Sequence, residues 1–165
     1  MQYHALSLIK EGFQVDIVGY EGSMPISDLL ESSSVHFQHL PSVPDFKKYM
    51  PNLFAFIFKV LFQVVTLFWC LNIRLTNIPH YMLVQNPPAI PSVFICWLYC
   101  VLYNIKFIID WHNYAYTILS LSLGEGHKLV RLSRVYERYF GRFSKANLCV
   151  TRAMRSDLKD NWNIE

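Results

Sequence analysis

Residues 106–117 read KFIIDWHNYAYT, and this stretch decides the fold. Phe107, Ile108 and Ile109, closed by Asp110, make a short continuous apolar run. Such a run predicts a buried strand of a parallel sheet, because a half-solvated strand would alternate. The character then changes to Asp110, Trp111, His112, Asn113, Tyr114 and Tyr116. Open α/β sheets bind ligands outside the carboxyl ends of their strands, so a polar and aromatic cluster emerging there marks the expected site.

Outward from this stretch, strand-like and helix-like segments alternate. Residues 81–85 predict a strand, stopped by Gln85-Asn86-Pro87-Pro88, and residues 89–103 an apolar helix too short to span a bilayer comfortably. After a Gly124-Glu125-Gly126 turn, residues 128–143 predict the clearest helix. Leu129, Leu132, Tyr136, Tyr139 and Phe143 recur at spacings of three and four as a packing face. Arg131, Arg134, Arg138 and Arg142 form a second, cationic stripe, with Glu137 expected as a surface partner of Arg134 or Arg138. Residues 147–151 predict a last strand, with Thr151 capping a helix that starts at Arg152.

Toward the N-terminus, residues 1–12 predict an amphipathic helix ended by Gly12, with Lys10 complementing its dipole. Strands follow at 13–20 and 35–40, separated by a polar loop at 21–34 and followed by a proline-punctuated connection at 41–51. Residues 53–71, LFAFIFKVLFQVVTLFWCL, are apolar on nearly every side apart from a narrow stripe of Lys59, Gln63 and Thr66. Three readings stand: a sheet-covering helix partly sunk in a membrane surface, a core helix, or a transmembrane span, for which mid-span Lys59 is costly. Strands alternating with helices predict an α/β fold, a doubly wound parallel sheet.

The 165 residues bound the chain to one domain. A composition 53% hydrophobic and only 16% charged predicts contact with a membrane or another domain. Net charge is +3, yet residues 128–155 hold eight lysines and arginines against the single acid Glu137, a segment suited to phosphates or acidic headgroups. Cys70, Cys96, Cys100 and Cys149 lie in apolar surroundings without Cys-x-x-Cys spacing and read as buried free thiols of a reducing compartment. No Asn-x-Ser/Thr sequon occurs, which fits a cytosol-facing chain, and Met1 opens directly onto a helix-like segment rather than a signal peptide.

The six histidines are scattered, so no metal set is expected, and neither Gly-x-Gly-x-x-Gly nor a Walker loop occurs. Dehydrogenase, P-loop and zinc chemistries are thereby removed, leaving a crevice binder. His112 is either a general base or phosphate ligand, or a residue that only caps the strand. Asp110 either orients His112 or satisfies backbone donors. Tyr114 and Tyr116 either stack on a ligand or pack, and the arginines face either phosphate-bearing groups or solvent.

Several blocks together carry a resemblance: MQYHALSL at 1–8, QNPP at 85–88, IDWHNYAYT at 109–117, YERYFGRFSKANLCVTRAM at 136–154 and DNW at 160–162. In that order, over most of the chain, they resemble the chitobiosyldiphosphodolichol β-mannosyltransferases. The resemblance implies the Rossmann-like N-terminal domain of a GT-B glycosyltransferase, a single acceptor-binding domain over residues 1–165. The family's membrane anchor, first strand and glycine loop, and its C-terminal nucleotide-binding domain, are missing from these residues, so the isolated chain is expected to be inactive. It implies GDP-mannose as donor, dolichyl-diphosphate chitobiose as acceptor, and inversion at the anomeric carbon. The implied place is the cytosolic face of the endoplasmic reticulum membrane, with other mannosyltransferases as partners. No nucleic acid, cofactor or metal is expected in this chain. His112 and Asp110 are the implied catalytic residues, and Asn113, Tyr114, Gln85 and Asn86 the acceptor-binding ones. A non-catalytic membrane-surface module is the competing expectation.

Overall fold

The computed structural model describes every residue except Glu21 and Ser23, which fall in the stretch read above as a polar loop; the side chains of Lys47, Asn52 and Leu53 also lie outside it. The chain forms two compact units, Met1–Ile78 and Pro79–Glu165. Every strand pair in both is parallel, so the α/β class holds. The strands fall into two hydrogen-bonded sets.

In the first unit, α1 (Gln2–Lys10) ends at Gly12, whose φ of +84° is a left-handed conformation a side chain would resist. There the Gly12 and Phe13 amides donate to the Ile9 and Leu8 carbonyls. Strand β1 (Val15–Tyr20) pairs in register with β2 (Val35–Leu40). The described part of the loop between them holds a short helix, α2 (Ser27–Leu30), too brief to show a period in sequence. Its Leu29 is sealed in a core with Ala5 and Val35, walled by Ile9, Val15, Ile17 and Phe37.

Helix α3 (Asn52–Trp69) continues into a π turn at Cys70–Arg74. By length and composition Phe54–Arg74 is long and apolar enough to cross a membrane. Its packed side carries Ala55, Leu67, Cys70 and Leu71 together with Gln63, whose Nε2 donates to the Tyr20 hydroxyl at 3.3 Å. Its outward side carries Phe54, Ile57, Phe58, Leu61, Val65 and Phe68, all exposed within an arc of about 100°. The usual amphipathic order is inverted here: part of the polar stripe faces protein and the large apolar residues face out.

In the second unit, β4 (Lys106–Trp111) lies between β3 (Tyr81–Asn86) and β5 (Ala146–Cys149). Helix α4 (Ser92–Tyr103) starts only after Pro91 and packs on β3 and β4 through Val93, Ile95, Cys96, Tyr99 and Cys100. The cysteines are unpaired, as expected, though Cys149 is only half-buried, and burial, with Cys100 adjacent, pushes the Cys96 thiol up to about 12. α5 (Ala115–Leu123) is a helix not predicted above. α6 (Lys128–Gly141) and α7 (Arg152–Trp162) stand where expected, and the Thr151 hydroxyl accepts from the Met154 amide at 3.1 Å as the predicted cap.

The packing face of α6 needs correction. Leu132, Tyr139 and Phe143 are exposed, whereas Val130, Ser133, Glu137 and Gly141 form the buried line. Small residues at 133 and 141 bring this side close to the sheet: a Cβ on Gly141 would lie 2.6 Å from Ile164 Cδ1 and 2.9 Å from Trp111 Cζ2. The Tyr136 hydroxyl instead serves α4, accepting from the Phe94 amide at 2.9 Å. Arg142 leaves the expected stripe, donating from Nε to the Trp162 carbonyl at 2.9 Å, where a cation suits the end of α7.

Candidate active site

Three parallel strands end together, with Gln85 opposite Asp110 and Asn86 opposite Trp111, which is also opposite Cys149. Side chains alternate along β4, so its last two residues point to opposite faces. Trp111 goes into the core, where Nε1 donates to Asn147 Oδ1 at 2.8 Å and the ring meets Trp162 edge-on. Asp110 goes the other way, its side chain 4% exposed, with Oδ2 2.8 Å from His112 Nε2.

The His112 side chain is 35% exposed, at the rim of the strand ends. A carboxylate only accepts, so the imidazole presents Nε2–H to Asp110 and keeps Nδ1 as its basic nitrogen. Such a pair can act as an oriented general base: one nitrogen fixes the ring and the other stays free to take a proton.

The turn beyond β4 is held from below by Asn86. The Asn86 carbonyl accepts from the His112 amide at 3.0 Å and the Asn113 amide at 3.4 Å. Its side-chain Nδ2 donates to the Asn113 carbonyl at 3.4 Å and to Glu137 Oε1 at 2.7 Å, while Oδ1 is buried without a hydrogen-bond partner. Asn86 is 0% exposed. The resemblance placed it among acceptor contacts; burial makes it a support for the His112 turn instead.

Glu137 is the residue sequence reasoning misplaced most. Expected on the surface beside Arg134 or Arg138, it is 2% exposed. Its carboxylate accepts from Asn86 Nδ2, from the Ala115 amide at 2.7 Å and from the Tyr116 amide at 2.9 Å. Those two amides open α5, whose N-cap Tyr114 offers no side-chain acceptor, so a carboxylate from α6 caps α5. Burial raises the Glu137 pKa, and the three donors partly offset the shift. A signal existed in sequence: Ser133, Glu137 and Gly141 are four apart, a line of small residues with one acid in it.

Tyr114 is engaged at both ends. Its ring stacks on Trp162 at 4.7 Å and its hydroxyl donates to Asp157 Oδ2 at 2.5 Å. Burial, then that bond, raises the Tyr114 pKa, and the same bond leads the causes that lower Asp157. Neither Asp157 nor Trp162 was expected here, although the DNW block points to the second. Gln85 is half-buried at the end of β3, and Asn113 is exposed beside His112. The structure therefore gathers Asp110, His112, Asn113 and Tyr114 beside Asn86, with Asn113 exposed, His112 and Tyr114 half-buried, and Asp110 and Asn86 buried.

No family model matches the chain. Among curated proteins it is 44% identical over 164 residues to a chitobiosyldiphosphodolichol beta-mannosyltransferase of Pongo abelii and 43% identical to that of Homo sapiens; each match covers 99% of this chain and 35% of the relative. A UDP-glycosyltransferase TURAN of Arabidopsis thaliana is 39% identical over 168 residues, covering 99% of the chain and 36% of that protein. The chain thus spans about a third of the length of the relatives it matches. All three relatives are named as glycosyltransferases. Over nearly its whole length, and about a third of theirs, this chain is a homologue of the chitobiosyldiphosphodolichol β-mannosyltransferases.

Proposed function

We propose that the chain supplies the acceptor side of a β-mannosyltransferase, as a Rossmann-like domain over residues 1–165 of a GT-B enzyme. That enzyme moves mannose from GDP-mannose to dolichyl-diphosphate chitobiose with inversion. The observation that carries the reading is the Asp110–His112 pair at the end of the central strand, with a 2.8 Å contact and the imidazole turned to the rim.

In the reaction an acceptor hydroxyl oxygen bonds to the anomeric carbon of mannose as that carbon's bond to the nucleotide phosphate oxygen breaks. GDP leaves with the bonding pair, and the hydroxyl proton passes to the His112 imidazole. Asp110 orients the ring and balances the imidazolium that forms. In this reading Asn113 and Gln85 contact the acceptor sugars, while Asn86, Glu137 and Tyr114 hold the turn that carries His112 and Asn113.

The inverted face of α3 supports a seat on a membrane surface, the cytosolic side of the endoplasmic reticulum in this reading. Six large apolar residues in one outward arc suit the headgroup boundary of a bilayer. Titration of the chain with a soluble short-chain chitobiosyl diphosphate tests the acceptor assignment. Saturable binding weakened severalfold by Asn113→Ala is expected; absence of binding by the folded chain contradicts it.

A further inference from the structure

Three arginines on α6 are left over from the site and from the packing. Arg131, Arg134 and Arg138 are all exposed, and with Val135 they line an open hollow of about 470 Å³. No carboxylate lies within 4 Å of them among the described residues. Glu137, the one acid on their helix, is turned inward and held by Asn86, Ala115 and Tyr116. Arg134 sits 5.5 Å over the Tyr116 ring and contributes to lowering the Asp157 pKa, but Asp157 accepts its hydrogen bonds from Tyr114 and Asn161.

What adjoins the arginines identifies the occupant. A merely solvated cationic face, or a pocket for a free phosphate, has no use for protruding apolar residues. On the neighbouring arc of α6, Val135 is 64% exposed and Leu132 57% exposed, with Tyr139 equally open. Cations beside projecting aliphatic and aromatic residues on one helix match a bilayer surface, where guanidinium groups meet phosphates and apolar groups enter the acyl boundary.

We propose that this face of α6 docks on an anionic phospholipid surface, with Arg131, Arg134 and Arg138 contacting lipid phosphates and Leu132 and Val135 entering the headgroup layer. The inference rests on the membrane seat proposed above and concerns the second unit alone. It is independent of sugar transfer.

The test is sedimentation of the chain with phosphatidylcholine vesicles, with and without a fifth of phosphatidylserine, in the absence of acceptor and sugar nucleotide. The acidic lipid is expected to raise affinity, and Arg131→Gln/Arg134→Gln/Arg138→Gln to lower binding to acidic vesicles on the order of a hundredfold while leaving neutral vesicles unaffected. The triple lysine variant should stay within a few-fold of wild type, and wild-type affinity for acidic vesicles should fall steeply with salt. Should the glutamine variant not fold, the lysine variant and the salt dependence still decide. Equal binding to neutral and acidic vesicles overturns the arginine assignment alone, whereas no binding to any vesicle overturns the membrane seat with it. Saturable displacement by inorganic pyrophosphate beyond its ionic-strength effect overturns lipid docking in favour of a discrete diphosphate pocket.

Discussion

Asn86 Nδ2 donates to Glu137 Oε1 at 2.7 Å, joining the end of β3 to the middle of α6 in a place sealed from solvent. Through that contact and the two α5 amides on the same carboxylate, the turn bearing His112 is held to three elements at once. Glu137→Ala would take the acceptor from one buried donor, Asn86 Nδ2, and from the part-buried amides of Ala115 and Tyr116. A loss of about 3 kcal/mol in urea unfolding is expected; a change within about 0.5 kcal/mol, the range of an ordinary surface substitution, would contradict the account.

The raised Glu137 pKa also sets a pH dependence of definite sign. Its folded pKa lies above its ordinary carboxyl value, so the folded protein holds the proton more tightly than the unfolded chain. The associated stability is full below the ordinary value and is lost as pH rises through the raised one. Asp157 acts oppositely: its lowered pKa gives stability present above its ordinary value and lost as the solution turns more acid. Unfolding free energies of wild type and Glu137→Gln, compared from mildly acid to neutral pH, should show wild type losing ground as pH rises. A pH-independent difference would count against the buried carboxylate.

Much of this was legible in the letters, for identifiable reasons. The apolar run before Asp110, the proline stop after Asn86 and the Thr151 cap each depend on neighbours in sequence, and each stands where expected. What was missed depends on distant residues. α5 was not foreseen because its N-terminal acceptor is Glu137, over twenty residues away, and Tyr114 carries no cap of its own. On α6 hydrophobicity does not track burial, because Ser133 and Gly141 are buried for their small size while Leu132 and Tyr139 stay exposed. Asn86 looked like a ligand contact because its position at a strand end is visible in sequence, and its burial is not.

Gly141 offers a test of that close approach. Alanine would bring a methyl group against the Trp111 ring and Ile164, and the indole has little room to yield. Gly141→Ala should cost about 1–3 kcal/mol by thermal or urea unfolding despite its better helix propensity. A neutral or stabilising result would mean that α6 stands further from the sheet.

The outward arc of α3 makes a separate prediction. Val65→Asp, or Leu61→Asp, adds a charge at a strongly exposed position of that arc. Stability in solution should change by no more than about 0.5 kcal/mol, as for other surface substitutions. Association with neutral vesicles should fall at least tenfold, because the burial of an apolar side chain, about 1.5–3 kcal/mol, is lost and a charge put in its place. Unchanged association would remove α3 from the membrane contact.

The most direct measurement is the rate of mannose transfer from GDP-mannose to a dolichyl-diphosphate chitobiose analogue. It is made with the human relative carrying this chain in place of its matching segment, as wild type, Asp110→Asn and His112→Ala. With a general base at His112, the alanine variant should fall by roughly 10²–10⁴-fold and Asp110→Asn by a lesser factor, with unfolding profiles preserved. A His112→Ala enzyme that transfers mannose at the wild-type rate would contradict the central assignment.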